Sequence, residues 1–217
     1  MSLTTELSSW LFEKKCNKTV EALIKNGFKA VYAQNKNTAI DYILAQATEA
    51  KTVGFGGSMT VTDLNISNIL SEQGKTIYNH NQTNLTLDEK INIMKNAIFS
   101  DLYLTGINAV TTTGVLVNID ATGNRVAAMT FGPKKVIALA GRNKIVEGDL
   151  SDAIRRIKDF ASPPNAKRLS FKTPCAETGF CSDCHSPDRI CRVISVLERC
   201  PRLTEFHVII INEDLGF

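Results

Sequence analysis

The sequence has no apolar run that approaches the ~20 residues needed to cross a bilayer. Its first fifteen residues, MSLTTELSSWLFEKK, also lack the apolar core and the cleavage site of a signal peptide. Both absences lead us to expect a cytoplasmic protein with no membrane partner. Thiols stay reduced in that compartment, so disulfides are disfavoured among the six cysteines of the chain.

Aromatic residues are scarce, at 7% of the chain, and the net charge is only +3. A nucleic-acid interface would need clustered basic residues, and those of this chain are scattered, so we expect no nucleic-acid partner. The charge is nevertheless uneven. Residues 1–124 contain 10 Lys/Arg and 11 Asp/Glu, whereas residues 125–217 contain 15 and 11. The basic C-terminal half suits a small anionic metabolite, although a solvated surface would have the same composition.

The chain contains neither an internal repeat nor a low-complexity segment. With 217 residues, 43% of them hydrophobic, it can form a single domain over residues 1–217 with a sizeable core. Amphipathic stretches alternate with short apolar runs, which predicts an α/β fold with a mostly parallel sheet. The predicted strands are 29–34, a short strand after 51, 75–78, 102–104, 115–119, 126–129, 136–140 and 206–211. The predicted helices are 3–26, one capped at 37 or 38, 60–73, one opening at 86, 149–160 and one starting at 186.

A glycine-rich turn follows the short strand in Lys51–Thr60, KTVGFGGSMT. The small Gly56 and Gly57 let an anion approach the main chain, and Ser58 and Thr60 can cap the next helix or donate to a ligand. The spacing matches neither the dinucleotide-binding motif nor the Walker motif, so it does not predict a nucleotide site. A tight strand-to-helix turn would give the same pattern without a ligand.

The stretch Asp101–Lys144 collects hydroxyls, amides and cations in the turns between its apolar runs. Loops of a buried sheet with this hydrogen-bonding capacity are typical of a ligand scaffold. Cations would hold a carboxylate or phosphate, and the polar groups would orient it. The candidate ligand-binding residues are Gly56, Gly57, Ser58, Thr60, Thr105, Asn108, Thr111, Thr113, Gly114, Asn118, Lys134, Arg142 and Lys144.

Four cysteines lie close together near the C-terminus, with the spacing C-x5-C-x2-C-x6-C. They are Cys175, Cys181, Cys184 and Cys191. Four thiolates at this spacing can close around a zinc ion or an iron–sulfur cluster. Disulfides and free thiols are the alternatives, and a reducing compartment disfavours the disulfides.

Taken together, these motifs resemble the lactate-utilisation (LUD, or YkgG-like) domain family, over most of the chain and most densely from Asp101 to Cys191. The motifs that carry the resemblance are Gly56-Gly57-Ser58-x-Thr60, the run from Ala109 to Val126, Phe131–Val136, Gly141–Lys144 and the run that opens at Pro174-Cys175. The resemblance implies a three-layer fold with an open, mostly parallel sheet. This is the fold of the superfamily of ribose-phosphate isomerases, glucosamine-phosphate deaminases and CoA-transferases, in which the ligand lies at the carboxyl ends of the strands. In that superfamily a Gly-Ser/Thr loop commonly binds a phosphate or carboxylate, which Gly56, Gly57, Ser58 and Thr60 would do here.

The resemblance also implies a role in the oxidation of L-lactate to pyruvate, with partner subunits that carry iron–sulfur clusters. The chain departs from the superfamily in two respects. It has no Glu in a context like that of the CoA-transferase nucleophile, and it lacks the acidic pair that isomerases use for proton transfer. Two functions therefore stay open: a component of 2-hydroxy acid oxidation with a metal or iron–sulfur centre, and a non-catalytic binding or assembly module with structural zinc. An exposed terminal strand at 206–211 would favour a homodimer.

Overall fold

A computed structural model describes residues 3–217. Within that range the α-helices are α1 (Leu3–Lys25), α2 (Lys36–Gln46), α3 (Met59–Thr62), α4 (Ile66–Glu72), α5 (Leu87–Ile98), α6 (Asn124–Thr130), α7 (Leu150–Arg156), α8 (Ser162–Arg168) and α9 (Pro174–Thr178). The strands are β1 (Lys29–Ala33), β2 (Thr52–Phe55), β3 (Thr76–Tyr78), β4 (Leu102–Gly106), β5 (Ala109–Thr111), β6 (Leu116–Asp120), β7 (Lys135–Gly141), β8 (Ile145–Val146), β9 (Val193–Leu197) and β10 (Glu205–Ile211). A 3₁₀ turn at Arg142–Lys144 and a π-helical turn at Ile157–Ala161 complete the set.

The main sheet has six strands in the order β1-β10-β7-β4-β2-β3, and every neighbouring pair is parallel. Side chains of a strand alternate between the two faces of the sheet. On β10, Phe206 and Val208 pack with α1, α5 and α6 on one face, whereas Ile209 and Ile211 pack with α2, α3 and α4 on the other. The predicted three-layer α/β fold with a mostly parallel sheet is confirmed.

A smaller sheet, in the order β8-β5-β6-β9, extends from the carboxyl edge of the main sheet. Its β5–β6 and β6–β9 pairs are antiparallel, while β5 and β8 are parallel. A third apolar cluster forms beneath it, where Ala109 and Val117 meet Ala153 of α7 and Ile157 of the π-helical turn. The small sheet and the π-helical turn therefore enclose the space above the carboxyl ends of β4 and β7. None of the helices in residues 3–217 is both long and apolar enough to cross a membrane.

The prediction of a strand at Val126–Met129 is wrong, because these residues lie in α6. The backbone turns into this helix at Gly123, whose φ of 88° lies in the left-handed region. The Asp120 carboxylate then accepts a hydrogen bond from the Val126 N–H at 3.2 Å. A four-residue apolar run cannot distinguish a strand from a buried helical turn, so only these flanking contacts decide the outcome.

Two predicted helices have different extents. The helix predicted at 60–73 is split into α3 and α4, and the break lies at Asn65, which has a φ of 50°. The helix predicted at 149–160 does not stop at Ser162, because the two prolines that follow lie in the first turn of α8. The N–H groups of a first turn have no partner within the helix, so proline is tolerated there. The π-helical turn links α7 to α8.

Two further expectations about the C-terminal part are wrong. Residues 186–191 do not form a helix: the Ser186 hydroxyl instead donates to the Lys172 carbonyl at 2.8 Å and ties two parts of the loop together. The last strand, β10, lies in the interior of the main sheet between β1 and β7 and leaves no exposed edge. The argument for a homodimer from an exposed terminal strand therefore has no basis, and a homodimer stays a prediction.

Candidate functional site

A cavity of about 60 Å³ lies where β2, β4 and β7 end, and the π-helical turn and α8 form part of its lining. Its lining consists of Gly57, Ser58, Met59, Gly106, Ile107, Asn108, Ile119, Arg125, Lys144, Ile157, Ala161, Ser162, Asn165, Ile190, Cys191 and Phe217. A water molecule needs roughly 10–15 Å³ of such space, so the cavity holds a ligand of a few heavy atoms. This volume suits a small acid and is far below that of drug-sized ligand pockets.

The glycine-rich turn forms one wall of the cavity. Ser58 is the N-cap of α3, and its hydroxyl accepts a hydrogen bond from the Val61 N–H at 3.3 Å. A Cβ atom at Gly106 would lie 2.2 Å from the Ser58 Oγ atom, so β4 can pass this closely only because residue 106 is glycine. Since α3 is a single turn, its dipole contributes little, and the positive charge at this wall comes from side chains.

Lys144 is the buried cation of the cavity, with 4% of its surface exposed. Its Nζ donates to the Thr60 Oγ1 atom at 2.6 Å, and the Thr60 hydroxyl in turn donates to the Leu215 carbonyl at 3.2 Å. Burial lowers the pKa of Lys144 to about 7, with Arg156 and Arg125 adding to the effect. An ammonium in this position would be stabilised by an anion.

Arg156 approaches the same region from α7. Its guanidinium donates only to carbonyl groups, those of Asn108 at 2.8 Å and Asn143 at 2.9 and 3.2 Å. Burial lowers the pKa of Arg156 to about 10. Neither Lys144 nor Arg156 has an ion pair with a carboxylate in the described chain. A buried lysine in the cavity wall and a half-buried arginine behind it therefore both lack a carboxylate partner.

Arg125 differs from Lys144 and Arg156, because it has a carboxylate partner and its guanidinium hydrogen bonds all go to other groups of the protein. Its guanidinium forms a buried ion pair with Asp120, with distances of 2.5 and 2.8 Å. It also donates to the side-chain oxygens of Asn118 at 3.0 Å and Asn108 at 2.7 Å, and to the carbonyls of Gly106 and Ile119. This network links β4, β6 and α6. It gives Arg125 a structural role and holds Asn108 in the cavity wall.

The sequence-predicted site residues are distributed unevenly. Gly57, Ser58, Asn108 and Lys144 line the cavity. Four others lie directly behind its wall: Gly56, Thr60, Thr105 and Asn118. A Cβ at Gly56 would meet the Thr105 hydroxyl at 2.6 Å, and Thr60 and Asn118 hold Lys144 and Arg125 as described above.

The other five candidates lie outside the cavity. Lys134 precedes β7, at the opposite edge of the main sheet, where it is largely exposed and pairs with Asp101 at 2.8 Å. This pair holds the pKa of the Asp101 carboxyl well below its usual range. Arg142 pairs with Asp214 at 3.0 Å on the surface, with its guanidinium 4.4 Å from the centre of the Phe12 ring.

The remaining three, Thr111, Thr113 and Gly114, form a turn that packs against the end of α1. Asn26 of the adjoining turn donates to the carbonyls of Thr113 and Gly114 at 3.0 and 2.9 Å. The Thr111 and Thr113 hydroxyls bond each other at 2.8 Å. These residues fix the helix to the small sheet and do not line the cavity.

Sequence reasoning missed Arg125, Arg156, Ser162 and Asn165. Arg156 lies in the helix predicted at 149–160, and its helical periodicity does not indicate the contacts with Asn108 and Asn143. For Arg125 the sequence does contain a signal, since this residue lies five positions after Asp120, but the strand predicted at 126–129 would not bring the two side chains together.

The four clustered cysteines line a second cavity next to the first one. The two cavities share three lining residues, Ser162, Ile190 and Cys191. The Cys191 thiol donates to the Ser162 hydroxyl at 3.3 Å, and burial raises the pKa of Cys191. Lys158 and Arg189 fix the loop by pairing with Asp183, each at 2.8 Å.

The thiols surround this second cavity without converging on one point. All six cysteines of the chain are free thiols. Across residues 3–217, no three His, Cys, Asp or Glu side chains are close enough together to hold a metal ion. A zinc ion with 2.3 Å bonds needs its four sulfurs about 4 Å apart, so the loop as it stands does not fit a single zinc ion.

Comparison with known proteins adds a family and a fold. The family model described as the LUD domain matches residues 16–211. Among solved structures, the chain is similar to a DUF162 family protein from Deinococcus radiodurans, with a TM-score of 0.51 and 11% sequence identity. That match covers 92% of this chain and 97% of the other, and at this identity it shows the fold alone. A search of curated proteins gave no match.

Proposed function

The chain belongs to the LUD domain family, and from this membership we propose that it binds a small anionic metabolite of lactate utilisation in the cavity at the carboxyl edge of the main sheet. The membership confirms the family resemblance seen in the sequence and supports a general relation to lactate utilisation. A 2-hydroxy acid such as L-lactate, or the corresponding 2-oxo acid, is the ligand that fits this proposal.

The observation that carries the proposal is the buried Lys144 amine in the cavity wall, which has no carboxylate partner. Burying a charge costs free energy unless the charge is paired. Only neutral oxygens partner Lys144, and the same is true of the nearby, half-buried Arg156. A ligand carboxylate in the cavity would supply the missing negative charge, and the Ser58 hydroxyl and Asn108 amide would offer hydrogen bonds to a hydroxyl or carbonyl oxygen beside it.

The test is calorimetric titration of the full chain with L-lactate and with L-lactamide, which has nearly the same shape but no charge. We expect L-lactate to bind and L-lactamide to bind at least tenfold more weakly, since a hydrogen bond to a charged group contributes roughly 1.5–3 kcal/mol. Equal affinity for the two compounds, or no heat from either, would contradict an anion site.

For the cysteine loop we propose a metal or iron–sulfur centre, held by Cys175, Cys181, Cys184 and Cys191. The four thiols surround one cavity, which supports a shared ligand, whereas their separation disfavours a single zinc ion unless the loop contracts. An iron–sulfur cluster places its cysteine ligands around several iron atoms, so its sulfurs lie farther apart than those around one zinc ion. Such a centre would supply electron-transfer chemistry beside the anion cavity.

Metal analysis of protein purified without oxygen tests the cysteine proposal. We expect brown protein with iron and acid-labile sulfide, and loss of both in a Cys184→Ser variant. Cys200→Ser is the matched control, because Cys200 is partly buried like the others but lies outside the cavity. Colourless protein with one bound zinc ion would favour structural zinc, and an equal loss of iron in both variants would contradict the assignment of the ligands.

One observation favours a second function, a non-catalytic binding or assembly module. Among the described residues, the cavity has no Asp or Glu side chain in its lining, so no carboxylate is available as a general base. Turnover separates the two functions. The module would bind L-lactate without oxidising it when an electron acceptor and the iron–sulfur partner subunits are supplied.

A further inference from the structure

Lys144 is the group in the cavity that is suited to react with a ligand. Of the side chains that line the cavity in residues 3–217, Lys144 has an amine, Arg125 a guanidinium and Cys191 a thiol. The Arg125 guanidinium is held by Asp120, and the Cys191 thiol donates to Ser162. Neither is therefore disposed to act as a nucleophile. The Lys144 amine forms no ion pair, and its hydrogen bond is to the Thr60 hydroxyl.

The hydrogen bonds around Lys144 leave its nitrogen lone pair free. A neutral amine has two hydrogens and one lone pair. Lys144 donates one hydrogen to the Thr60 hydroxyl, and the single hydrogen of that hydroxyl is already donated to the Leu215 carbonyl. Thr60 therefore cannot donate to the lone pair. Thr60 acts as a positioning residue that orients the amine without occupying it.

The charges around Lys144 favour the neutral amine. Arg156 faces it from α7 and Arg125 from α6, whereas the nearest acidic influence is that of Asp63, which does not form an ion pair with it. Burial and these two cations hold the pKa of Lys144 near 7. At the pH of the cytoplasm, a large fraction of Lys144 is then a free amine, which is the reactive form of lysine towards carbonyl groups.

We propose that Lys144 forms an imine with ligands that have a carbonyl group next to the carboxylate. The cavity would then bind 2-oxo acids covalently and 2-hydroxy acids non-covalently. The proposal rests on the proposed anion site, whose ligand class it narrows. The cavity is large enough for a three-carbon acid, whose carboxylate would accept hydrogen bonds from the Ser58 hydroxyl and the Asn108 amide while the carbonyl carbon meets the Lys144 amine.

The step balances without any further reactant. The Lys144 lone pair attacks the carbonyl carbon, a C–N bond forms, and one of the two amine protons passes to the former carbonyl oxygen. The second amine proton follows as that oxygen leaves as water, which breaks the C–O bond and leaves a neutral C=N bond. The imine nitrogen then takes a proton from water, and the ligand carboxylate stabilises the resulting positive charge. L-Lactate has a hydroxyl group in place of the carbonyl and cannot take part.

Borohydride trapping tests this assignment. The full chain is incubated near pH 8 with pyruvate, sodium borohydride is added to reduce any imine to a stable amine, and the product is analysed by intact mass and peptide mapping. We expect one reduced pyruvyl group per chain, located on Lys144, and none when L-lactate replaces pyruvate. The Lys134→Arg variant should be labelled fully, and Lys144→Arg should not be labelled.

The outcomes separate this inference from the proposed function. If pyruvate binds in calorimetry but leaves no adduct, or if the adduct lies on another lysine, the imine is refuted and the anion site stands. If neither acid binds, both proposals fail. Peptide mapping of the unaltered protein decides between these outcomes even if a variant at Lys144 does not fold.

Discussion

A Lys144→Met variant is expected to bind L-lactate roughly ten- to a hundredfold more weakly than the unaltered protein at pH 6.5. At that pH most of Lys144 is an ammonium, and a hydrogen bond between charged groups contributes roughly 1.5–3 kcal/mol. Met has nearly the same length and no charge, so the cavity keeps its shape. Calorimetric titration of both proteins measures the ratio.

Lys134→Met is the matched control for this prediction. Lys134 and Lys144 flank the same strand, β7, but Lys134 lies at the opposite edge of the sheet and is bound to Asp101. We expect its loss to leave L-lactate affinity unchanged. A similar loss of affinity in both variants would show that the effect comes from overall charge and not from the cavity.

The pH dependence of binding gives a second readout of Lys144. Its pKa of about 7 lies below the ordinary value, and a bound carboxylate raises it, so the ligand complex holds more protons than the free protein above pH 7. The affinity should therefore be constant below about pH 6 and fall as the pH rises above 7, by at most tenfold per pH unit. In Lys144→Met this decline should disappear, whereas a decline that persists would assign it to another group.

An Arg125→Met variant is expected to lose about 3–5 kcal/mol of unfolding free energy, which is the cost of breaking a buried ion pair on one side. Arg125 bonds Asp120, Asn118 and Asn108, and both members of the ion pair are less than a tenth exposed. Its removal leaves the Asp120 carboxylate buried without a counter-charge. Urea unfolding followed by circular dichroism measures the change.

Two further variants make this stability prediction specific. Arg155→Met removes an arginine from an exposed pair with Asp152 at 3.2 Å, and should cost less than about 1 kcal/mol. Adding Asp120→Asn to Arg125→Met removes the stranded charge and should restore part of the loss. A loss no larger for Arg125 than for Arg155 would contradict the structural role of this network.

The fold could be predicted from the sequence because its signals are local. The apolar runs of β4, β7 and β10 and the capping box at Thr86 and Glu89 depend on residues a few positions apart, and the structure contains all of them. The strand predicted at 126–129 is wrong because the Asp120 carboxylate, six residues before Val126, accepts a hydrogen bond from the Val126 N–H where a helix begins. Periodicity alone contains no information about such a contact.

The candidate site could be predicted only in part, because it is built by contacts between distant segments. Gly57 and Ser58 follow a strand that ends at the cavity, so their position follows from the direction of a parallel strand. Lys134 and Lys144 look equivalent in sequence, yet one precedes β7 and the other follows it, which places them at opposite edges of the sheet. Arg156 reaches the site because the small sheet brings Asn108 to α7, a contact between residues 48 positions apart.

The most direct measurement of the central claim is a crystal structure of the protein with bound L-lactate at neutral pH. We expect the lactate carboxylate within hydrogen-bonding distance of Lys144 Nζ, in the cavity between the Ser58 turn and α8. Lactate bound elsewhere, such as at the opposite edge of the sheet near Lys134, or an empty cavity at ligand concentrations that saturate binding in calorimetry, would contradict it.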